Sequence, residues 1–249
     1  MIDTKMTAAP PGFPLPPARF SGAARTVSVM RSFEWIREGW ALFLGAPGVW
    51  LLLGGGIVLW FVVAEFLWLQ IRTRFDPSLL RNLSLAVLLF GPVILMPAAT
   101  AGGLQLCRRL ARDQPAELSD LLGGIQQAPQ RLLGAGLLYL AGWLIIFLFY
   151  ELINGPLALF LPTLAGFLFL IAIWFVPPLV AFHNLSPFEA LSRSFSACFK
   201  NAGVFVVFGL TMGLLHLVAV LPAGLGLIVL LPVMIGTLHA SYRDVFPES

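Results

Sequence analysis

PGVWLLLGGGIVLWFVVAEFLWL, residues 47–69, decides the fold class of this chain. It contains one charged residue, Glu65. A helix rises about 1.5 Å per residue, so about 20 apolar residues cross a hydrocarbon core about 30 Å thick. This stretch therefore predicts a membrane-spanning helix.

The rest of the chain has the same character, because 59% of its 249 residues are hydrophobic and only 11% are charged. Soluble domains carry about 25% charged residues. The sequence predicts an all-α membrane protein with six transmembrane helices. The spans fall at about 47–69, 83–106, 132–153, 155–182, 202–221 and 223–241. Turn-forming residues at 154–156 and 221–224 separate the last four spans into two tight hairpins.

Lysine and arginine are distributed unevenly between the two sides that these spans define. With the N-terminus in the cytoplasm, the positive-inside rule is satisfied. The cytoplasmic segments then contain Lys5, Arg19, Arg25, Arg31, Arg37, Arg108, Arg109, Arg112, Arg131, Arg193, Lys200 and Arg243. The outer segments contain Arg72, Arg74 and Arg81. We therefore expect both termini in the cytoplasm. The net charge of +3 does not suggest nucleic-acid binding, because the basic residues form no single patch.

Three cytoplasmic segments have the helical spacing of short amphipathic helices, which lie along the interface or pack under the bundle. Their apolar positions are Phe33, Ile36, Trp40, Phe43 and Leu44 in the first, Leu118, Leu121, Leu122 and Ile125 in the second, and Phe188, Leu191, Phe195 and Phe199 in the third. The third begins with Ser186, Pro187 and Glu189, which is a capping-box pattern.

Each amphipathic segment is followed by an outward span and a return span that contains proline. The return-span prolines are Pro97, Pro177 with Pro178, and Pro232. The pattern predicts a three-fold repeat of helical hairpins. Parallel repeats of this kind are related by an axis along the membrane normal. Residues 31–246 would form this single domain. The proline-rich residues 1–30 are expected to be a disordered cytoplasmic tail.

Three ionisable residues lie in the outer halves of the outward spans: Glu65, Glu151 and His216. Charged groups inside a bilayer are costly and usually face a bundle interior or a watery cavity. They predict either a polar cavity open to the outer side or side chains that reach the headgroups and a neighbouring helix.

On the cytoplasmic side, Arg108, Arg109 and Arg112 are candidates for contact with anionic lipid. His183 and His239 lie near cytoplasmic span ends without metal ligands at suitable spacing, so we interpret them as interfacial polar groups. Cys107 and Cys198 are interpreted as small apolar fillers. The sequence contains no catalytic, cofactor or metal motif.

Several stretches are specific enough to suggest a relationship. They are FEWIREGWALF (33–43), PAATAGGLQLCRRL (97–110), LSDLLGGI (118–125), VPPLVAFHNLSPFEALSRSFSACFKN (176–201) and LPVMIGTLHASYRDVF (231–246). They resemble an uncharacterised family of bacterial six-span integral membrane proteins. More distantly, the layout is similar to the membrane domain that precedes some glycerophosphodiester phosphodiesterases. The resemblance implies a place in the bacterial inner membrane and no particular chemistry.

We therefore expect a non-enzymatic inner-membrane protein, without a cofactor, that organises the membrane or binds lipid or a protein partner. The lipid partner could be anionic, and the protein partner could be a second copy of the chain. The alternative is a small channel or transporter with an outer-side polar cavity.

Overall fold

The computed structural model describes residues 23–75, 78–153, 155 and 157–247. This part of the chain folds into helices without strands. The helices are α1 (Arg31–Gly45), α2 (Pro47–Arg74), α3 (Leu79–Leu110), α4 (Leu118–Gln127), α5 (Pro129–Leu152), α6 (Phe160–Ala172), α7 (Val176–His183), α8 (Pro187–Lys200), α9 (Ala202–Val220) and α10 (Leu227–Val245). The predicted all-α class is confirmed.

Five helical segments are long and apolar enough to cross a membrane. They are Pro47–Arg74, Ser84–Leu110, Pro129–Leu152, Phe160–His183 and Ala202–Val220. Four of them bury only 17–28% of their most apolar window, so most of their surface is free to contact lipid. The fourth segment is broken between α6 and α7, where Pro177 and Pro178 lack the backbone N–H groups of a continuous helix.

The sixth predicted span corresponds to α10, which differs from the five others. It begins at Leu227 rather than at residue 223, because the preceding turn places Ala223 and Gly224 at positive φ. Its last two turns contain His239, Arg243 and Asp244, so its apolar part is shorter. By length and composition, α10 is therefore not among the five spanning candidates.

The three short amphipathic helices form as expected at α1, α4 and α8. In α8, Ser186 accepts a hydrogen bond from the Glu189 N–H, and Pro187 occupies the first turn. Single residues join α1 to α2 and α4 to α5. These are Ala46 (φ −151°, ψ 59°) and Ala128 (φ −150°, ψ 57°), so the two junctions have the same backbone conformation.

Glycines allow helix backbones to touch at several crossings, including those of α2 with α10, α3 with α5 and α1 with α10. A Cβ on Gly54 of α2 would overlap the carbonyl oxygen of Ile228 on α10, and one on Gly136 of α5 would overlap that of Ile94 on α3. A Cβ on Gly236 of α10 would lie 2.8 Å from the Cα of Gly39 on α1. Small residues are how membrane helices approach closely without a hydrophobic driving force.

Aromatic side chains of α1, α9 and the residue before α7 pack against one another. Trp35, Phe175, Phe205 and Phe208 are buried, and their ring centroids lie 5.7–6.3 Å apart in tilted or edge-to-face pairs. Such pairs contribute about 0.5–1.5 kcal/mol beyond the area they bury. This part of the bundle is therefore a packed core.

The two ends of the described chain meet on one side of the bundle, where the Arg25 N–H donates to the Val245 carbonyl (3.0 Å). We call this side, which also carries α1, α4 and α8, the basic end. Residues 1–22 of the predicted tail lie outside the described residues. Residues 23–30, which the prediction included in the tail, pack along the basic end as an N-terminal segment.

Candidate functional site at the basic end

Asp244, a buried carboxylate in the last turn of α10, connects three segments. It accepts hydrogen bonds from the Trp35 Nε1–H (2.7 Å) and the Arg31 Nε–H (2.6 Å). Arg25 of the N-terminal segment lies within ion-pair distance (3.7 Å). A buried charge is tolerated when it is paired and hydrogen-bonded. Asp244 therefore holds α1 and the N-terminal segment against α10.

Asn201, between α8 and α9, makes the second connection. Its Oδ1 accepts from the Val27 N–H (2.9 Å), and its Nδ2 donates to the carbonyls of Arg25 and Ala197 (3.0 Å each). Lys200 Nζ donates to the Ala24 carbonyl (2.6 Å). The N-terminal segment is thus hydrogen-bonded to both the α8–α9 junction and α10.

Two ion pairs join short helices to long ones in the same way. Arg243 of α10 pairs with Glu38 of α1 (2.7 Å), and Arg109 of α3 pairs with Asp120 of α4 (2.6 Å). Asp120 also caps α4, because its carboxylate accepts from the Glu117 N–H (2.8 Å). These arginines lock α1 and α4 onto the bundle.

Apart from Trp35 and Phe43 of α1, the short helices bury small or polar residues and leave their large apolar residues exposed or half-buried. The buried positions are Ser32, Trp35, Gly39 and Phe43 of α1, Asp120 and Gly124 of α4, and Ala190, Ser194, Ala197 and Cys198 of α8. The exposed positions are Phe33, Trp40 and Leu44, then Leu118 and Leu122, then Phe188, Phe195 and Phe199. We call these three sets the apolar stripes. Of the predicted apolar positions, Phe43 is the one that is buried, and the side chain of Ile125 lies outside the described residues.

The three arginines predicted to contact anionic lipid have different surroundings. Arg108 lies over the Phe182 ring, with its guanidinium carbon 3.1 Å from the ring centroid. Arg109 is held by Asp120. Arg112 is exposed. Like Arg37 and Arg131, it has no side-chain partner among the described residues. Lipid contact by the three stays a prediction.

Glu65, Glu151 and His216 are all exposed on their helices. None of them lines either of the two described cavities. The shared outer-side cavity stays a prediction, and no contact among the described residues brings the three together.

Two cavities open on the surface. The first, about 700 Å³, lies among α1, α10 and the segment after α3, and it is lined by Glu38, Asp113, Gln114, His239 and Arg243 together with apolar residues. The second is a groove of about 550 Å³ between α1, α9 and α10. Arg37 is its one charged lining residue, so we call it the Arg37 groove.

The remaining predicted polar residues sit at the same end. His183 forms a short hydrogen bond with the Tyr242 hydroxyl, and His239 is buried beside the first cavity. Cys107 and Cys198 are both buried and free. Burial raises the pKa of the Cys198 thiol to about 12, and a hydrogen bond from Ser194 opposes this only in part. A thiol with that pKa is unreactive at neutral pH.

Sequence reasoning missed the contacts of Asp244, Trp35 and Glu38. One signal was available, because Asp244 is a carboxylate at the end of an apolar helix, where it needs a partner. The identity of that partner was not available, since Arg31 is more than 200 residues away in the chain.

The comparisons with known proteins agree with this architecture at a coarse level. A Burkholderia thailandensis protein described as a probable inner membrane protein is 28% identical over 177 residues. The match covers 63% of this chain and 61% of that relative, which is less than two thirds of its length. No family profile and no solved structure matches the chain. The fold and this similarity define an integral membrane protein of the helical type. Nothing in the comparisons bears on the glycerophosphodiester phosphodiesterase resemblance.

Proposed function

We propose that this chain is a non-enzymatic protein of the bacterial inner membrane that binds anionic lipid at its basic end and organises the membrane around it. The observation that carries the proposal is the exposure of the three apolar stripes at the end that bears most of the basic residues. An amphipathic helix that turns its apolar face outward can insert that face between headgroups and acyl chains.

The charges near the stripes support the same function. Arg37 lies on α1 within its stripe, and Arg112 and Arg131 lie just before α4 and just after it. All three are exposed and without a side-chain partner among the described residues. Each basic side chain near an anionic membrane surface contributes about 1 kcal/mol to binding. Exposed apolar side chains and unpaired cations together favour lipid over a soluble protein partner.

Six crossings with both termini in the cytoplasm form part of the proposal. Five crossings would place Arg25 and Val245 on opposite sides of the membrane. Their hydrogen bond (3.0 Å) requires the same side, which supports a crossing by α10. The positive-inside rule then assigns the basic end to the cytoplasm.

A three-fold repeat of the hairpins also belongs to the proposal, and it is supported by matching contact positions. Each unit consists of a short helix, an outward helix and a return helix: α1, α2 and α3, then α4, α5 and α6–α7, then α8, α9 and α10. In each unit a residue of the short helix and a glycine of the outward helix are 15 residues apart: Gly39 and Gly54, Leu121 and Gly136, Ser194 and Gly209. Their partners on the return helices are 8 residues apart: Gly236 and Ile228, Gly102 and Ile94, Phe175 and Phe167.

The ion pairs follow the same register in two of the units. In the first unit, Glu38 lies one residue before Gly39, and its ion-pair partner Arg243 lies seven residues after Gly236. In the second unit, Asp120 lies one residue before Leu121, and its ion-pair partner Arg109 lies seven residues after Gly102. In the first two units the short and outward helices pack on the return helix of another unit, and in the third unit the short helix α8 does so. Because α1 and α2 pack on α10, the three units close into a ring.

The channel or transporter alternative has less support. Glu65, Glu151 and His216 are exposed on their helices, and none of them lines either of the two described cavities. A partner protein or a second copy of the chain could still dock beside bound lipid, and we treat such assembly as secondary to lipid binding.

Lipid retention tests the proposal. The protein is extracted in mild detergent from membranes that contain phosphatidylglycerol and phosphatidylethanolamine, and the lipid that co-purifies is counted by native mass spectrometry. We expect enrichment of phosphatidylglycerol over its share in the membrane. The triple variant Arg37→Gln, Arg112→Gln and Arg131→Gln should lose most of that enrichment, because it removes the unpaired cations.

The matched control changes three arginines at the other end, Arg72, Arg74 and Arg81, to glutamine. It removes the same charge and should leave the enrichment unchanged. Equal loss in both triple variants, or no enrichment in the wild-type protein, would contradict the proposal.

A further inference from the structure

The Arg37 groove is apolar along its whole length apart from one side chain. Its walls are Phe33, Ile36, Arg37 and Trp40 of α1, Leu215, Val218 and Ala219 of α9, and Gly226, Val229, Leu230 and Val233 at the start of α10. The groove has a volume of about 550 Å³ and opens on the outer surface of the bundle. An apolar groove on the surface of a membrane-spanning bundle would contact lipid.

The single charge is available for a ligand. Arg37 is exposed, and no described residue forms an ion pair or a side-chain hydrogen bond with it. The neighbouring arginine of α1, Arg31, is by contrast paired with Asp244 and Glu34. A guanidinium presents donors in the geometry that suits phosphate oxygens.

Aromatic residues bracket that charge on the exposed side of α1. Phe33 and Trp40 are about half exposed, and they lie one helical turn before and after Arg37. Tryptophan beside a cation is the arrangement found at the level of lipid headgroups. By this pattern we assign Arg37 to headgroup depth, with the α9 and α10 walls of the groove extending towards the hairpin turn at Gly226.

We infer that the Arg37 groove holds one anionic glycerophospholipid, with its phosphate on Arg37 and one acyl chain against α9 and α10. The inference rests on the proposed lipid-binding function and assigns it a specific site. Charge complementarity selects the ligand, because a zwitterionic lipid presents its own cation beside the phosphate. In the proposed repeat, the positions equivalent to Arg37 are Ser119 in α4 and Ser192 in α8. The repeat therefore predicts that the site occurs in the first unit and not in the other two.

Photo-crosslinking tests the assignment. Full-length protein is reconstituted in vesicles containing phosphatidylglycerol with a photoactivatable acyl chain, irradiated, digested and mapped by mass spectrometry. We expect adducts on residues 215–219 of α9 and 229–233 of α10. The same label on phosphatidylethanolamine should give at least three-fold fewer adducts there.

Three variants locate the interaction. Arg37→Gln should lower the α9 and α10 adducts by three-fold or more, and Val229→Trp should lower them by filling the groove. The exchange Arg37→Ser with Ser192→Arg keeps the net charge and should have the same effect as Arg37→Gln. Arg74→Gln is the matched control, because Arg74 is an exposed arginine at the other end of the bundle, and it should leave these adducts unchanged.

Adducts spread evenly over all outward-facing helices, or α9 and α10 adducts unaffected by Arg37→Gln, would overturn the groove assignment. Retained phosphatidylglycerol enrichment in that case would leave the proposed function standing. If the wild-type protein showed no phosphatidylglycerol enrichment, the proposed function itself would be overturned, so the two failures are distinguishable. Thermal melting of each variant in detergent identifies any loss of adducts that comes from unfolding.

Discussion

Asp244 shows how a single ionised side chain can hold distant parts of a membrane protein together. Its carboxylate is buried, so it would be costly without partners. Trp35 and Arg31 donate to it at 2.7 and 2.6 Å, and both belong to α1. The carboxylate therefore couples α1 and α10 through directional, charge-assisted contacts.

Asp244→Ala should destabilise the protein substantially. Removing one member of a buried pair costs about 3–5 kcal/mol, because the other charge stays buried without a partner. Arg31 is about one third exposed, so we expect a smaller loss of about 2 kcal/mol. The measurement is the free energy of unfolding in detergent micelles with increasing denaturant.

The control for Asp244 is Glu189→Ala. Glu189 pairs with Arg193 (2.8 Å) on the exposed side of α8, where an ion pair contributes at most about 1 kcal/mol. If the two variants lost equal stability, the coupling assigned to Asp244 would be wrong.

At the scale of elements, helix packing depends on where each glycine lies. Gly54, Gly55 and Gly56 are consecutive in α2, yet they differ in their surroundings. A side chain at Gly54 would meet the backbone of Ile228, whereas Gly55 and Gly56 have open space around them. Only the first glycine therefore sets the distance between α2 and α10.

Gly54→Leu should separate α2 from α10 and lower the thermal midpoint markedly, since overpacking against backbone costs about 1–3 kcal/mol or more. Gly55→Leu adds the same volume one residue later and should change stability by no more than about 0.5 kcal/mol. Melting curves of both variants in the same detergent make the comparison. Equal destabilisation would show that α2 and α10 do not touch at Gly54.

Element types and positions were predictable from sequence, because an apolar run of about 20 residues has few other solutions. The three short helices, the Ser186 cap and the junctions at Pro47 and Pro129 followed from local chemistry. The break between α6 and α7 and the late start of α10 were not predicted. Both depend on how the chain bends at proline and at positive φ, which an apolar run does not reveal.

The orientation of the short helices could not be predicted, for a physical reason. In water a helix buries its apolar stripe, but in a membrane that stripe can face lipid while small residues face the protein. Phe188 and Phe199 are 75% and 74% exposed, whereas Ala190 and Ala197 of the same helix are fully buried. The sequence singled out Arg108, Arg109 and Arg112 as candidates for lipid contact, but it did not identify Arg37 as an exposed cation without a side-chain partner among the described residues.

At the scale of the whole molecule, the connection between the chain ends makes topology testable with cysteines. Both native cysteines are buried, so we expect them to contribute little background labelling. Ser28, Leu225 and Pro247 are exposed and mark the N-terminal segment, the last hairpin and the end of α10. Six crossings predict that Leu225 lies on one side of the membrane and the other two on the opposite side.

In intact cells, a membrane-impermeant maleimide should label a Leu225→Cys variant. Ser28→Cys and Pro247→Cys should react only after the membrane is permeabilised, if the basic end faces the cytoplasm as proposed. Labelling of Leu225→Cys and Pro247→Cys on the same side would mean that α10 does not cross. Labelling of Ser28→Cys from outside would reverse the orientation.

The pairing of α1 with α10 also fixes the order in which the protein can be completed. Ribosomes deliver α1 and α2 well before α10, yet Trp35, Gly39 and Gly54 all make contacts on α10. Until α10 is synthesised, the surfaces of α1 and α2 that pack on it stay exposed and open to quality-control proteases. Chains truncated before Leu227 would never cover these surfaces, so a nonsense mutation just before that codon should act as a complete loss of the protein.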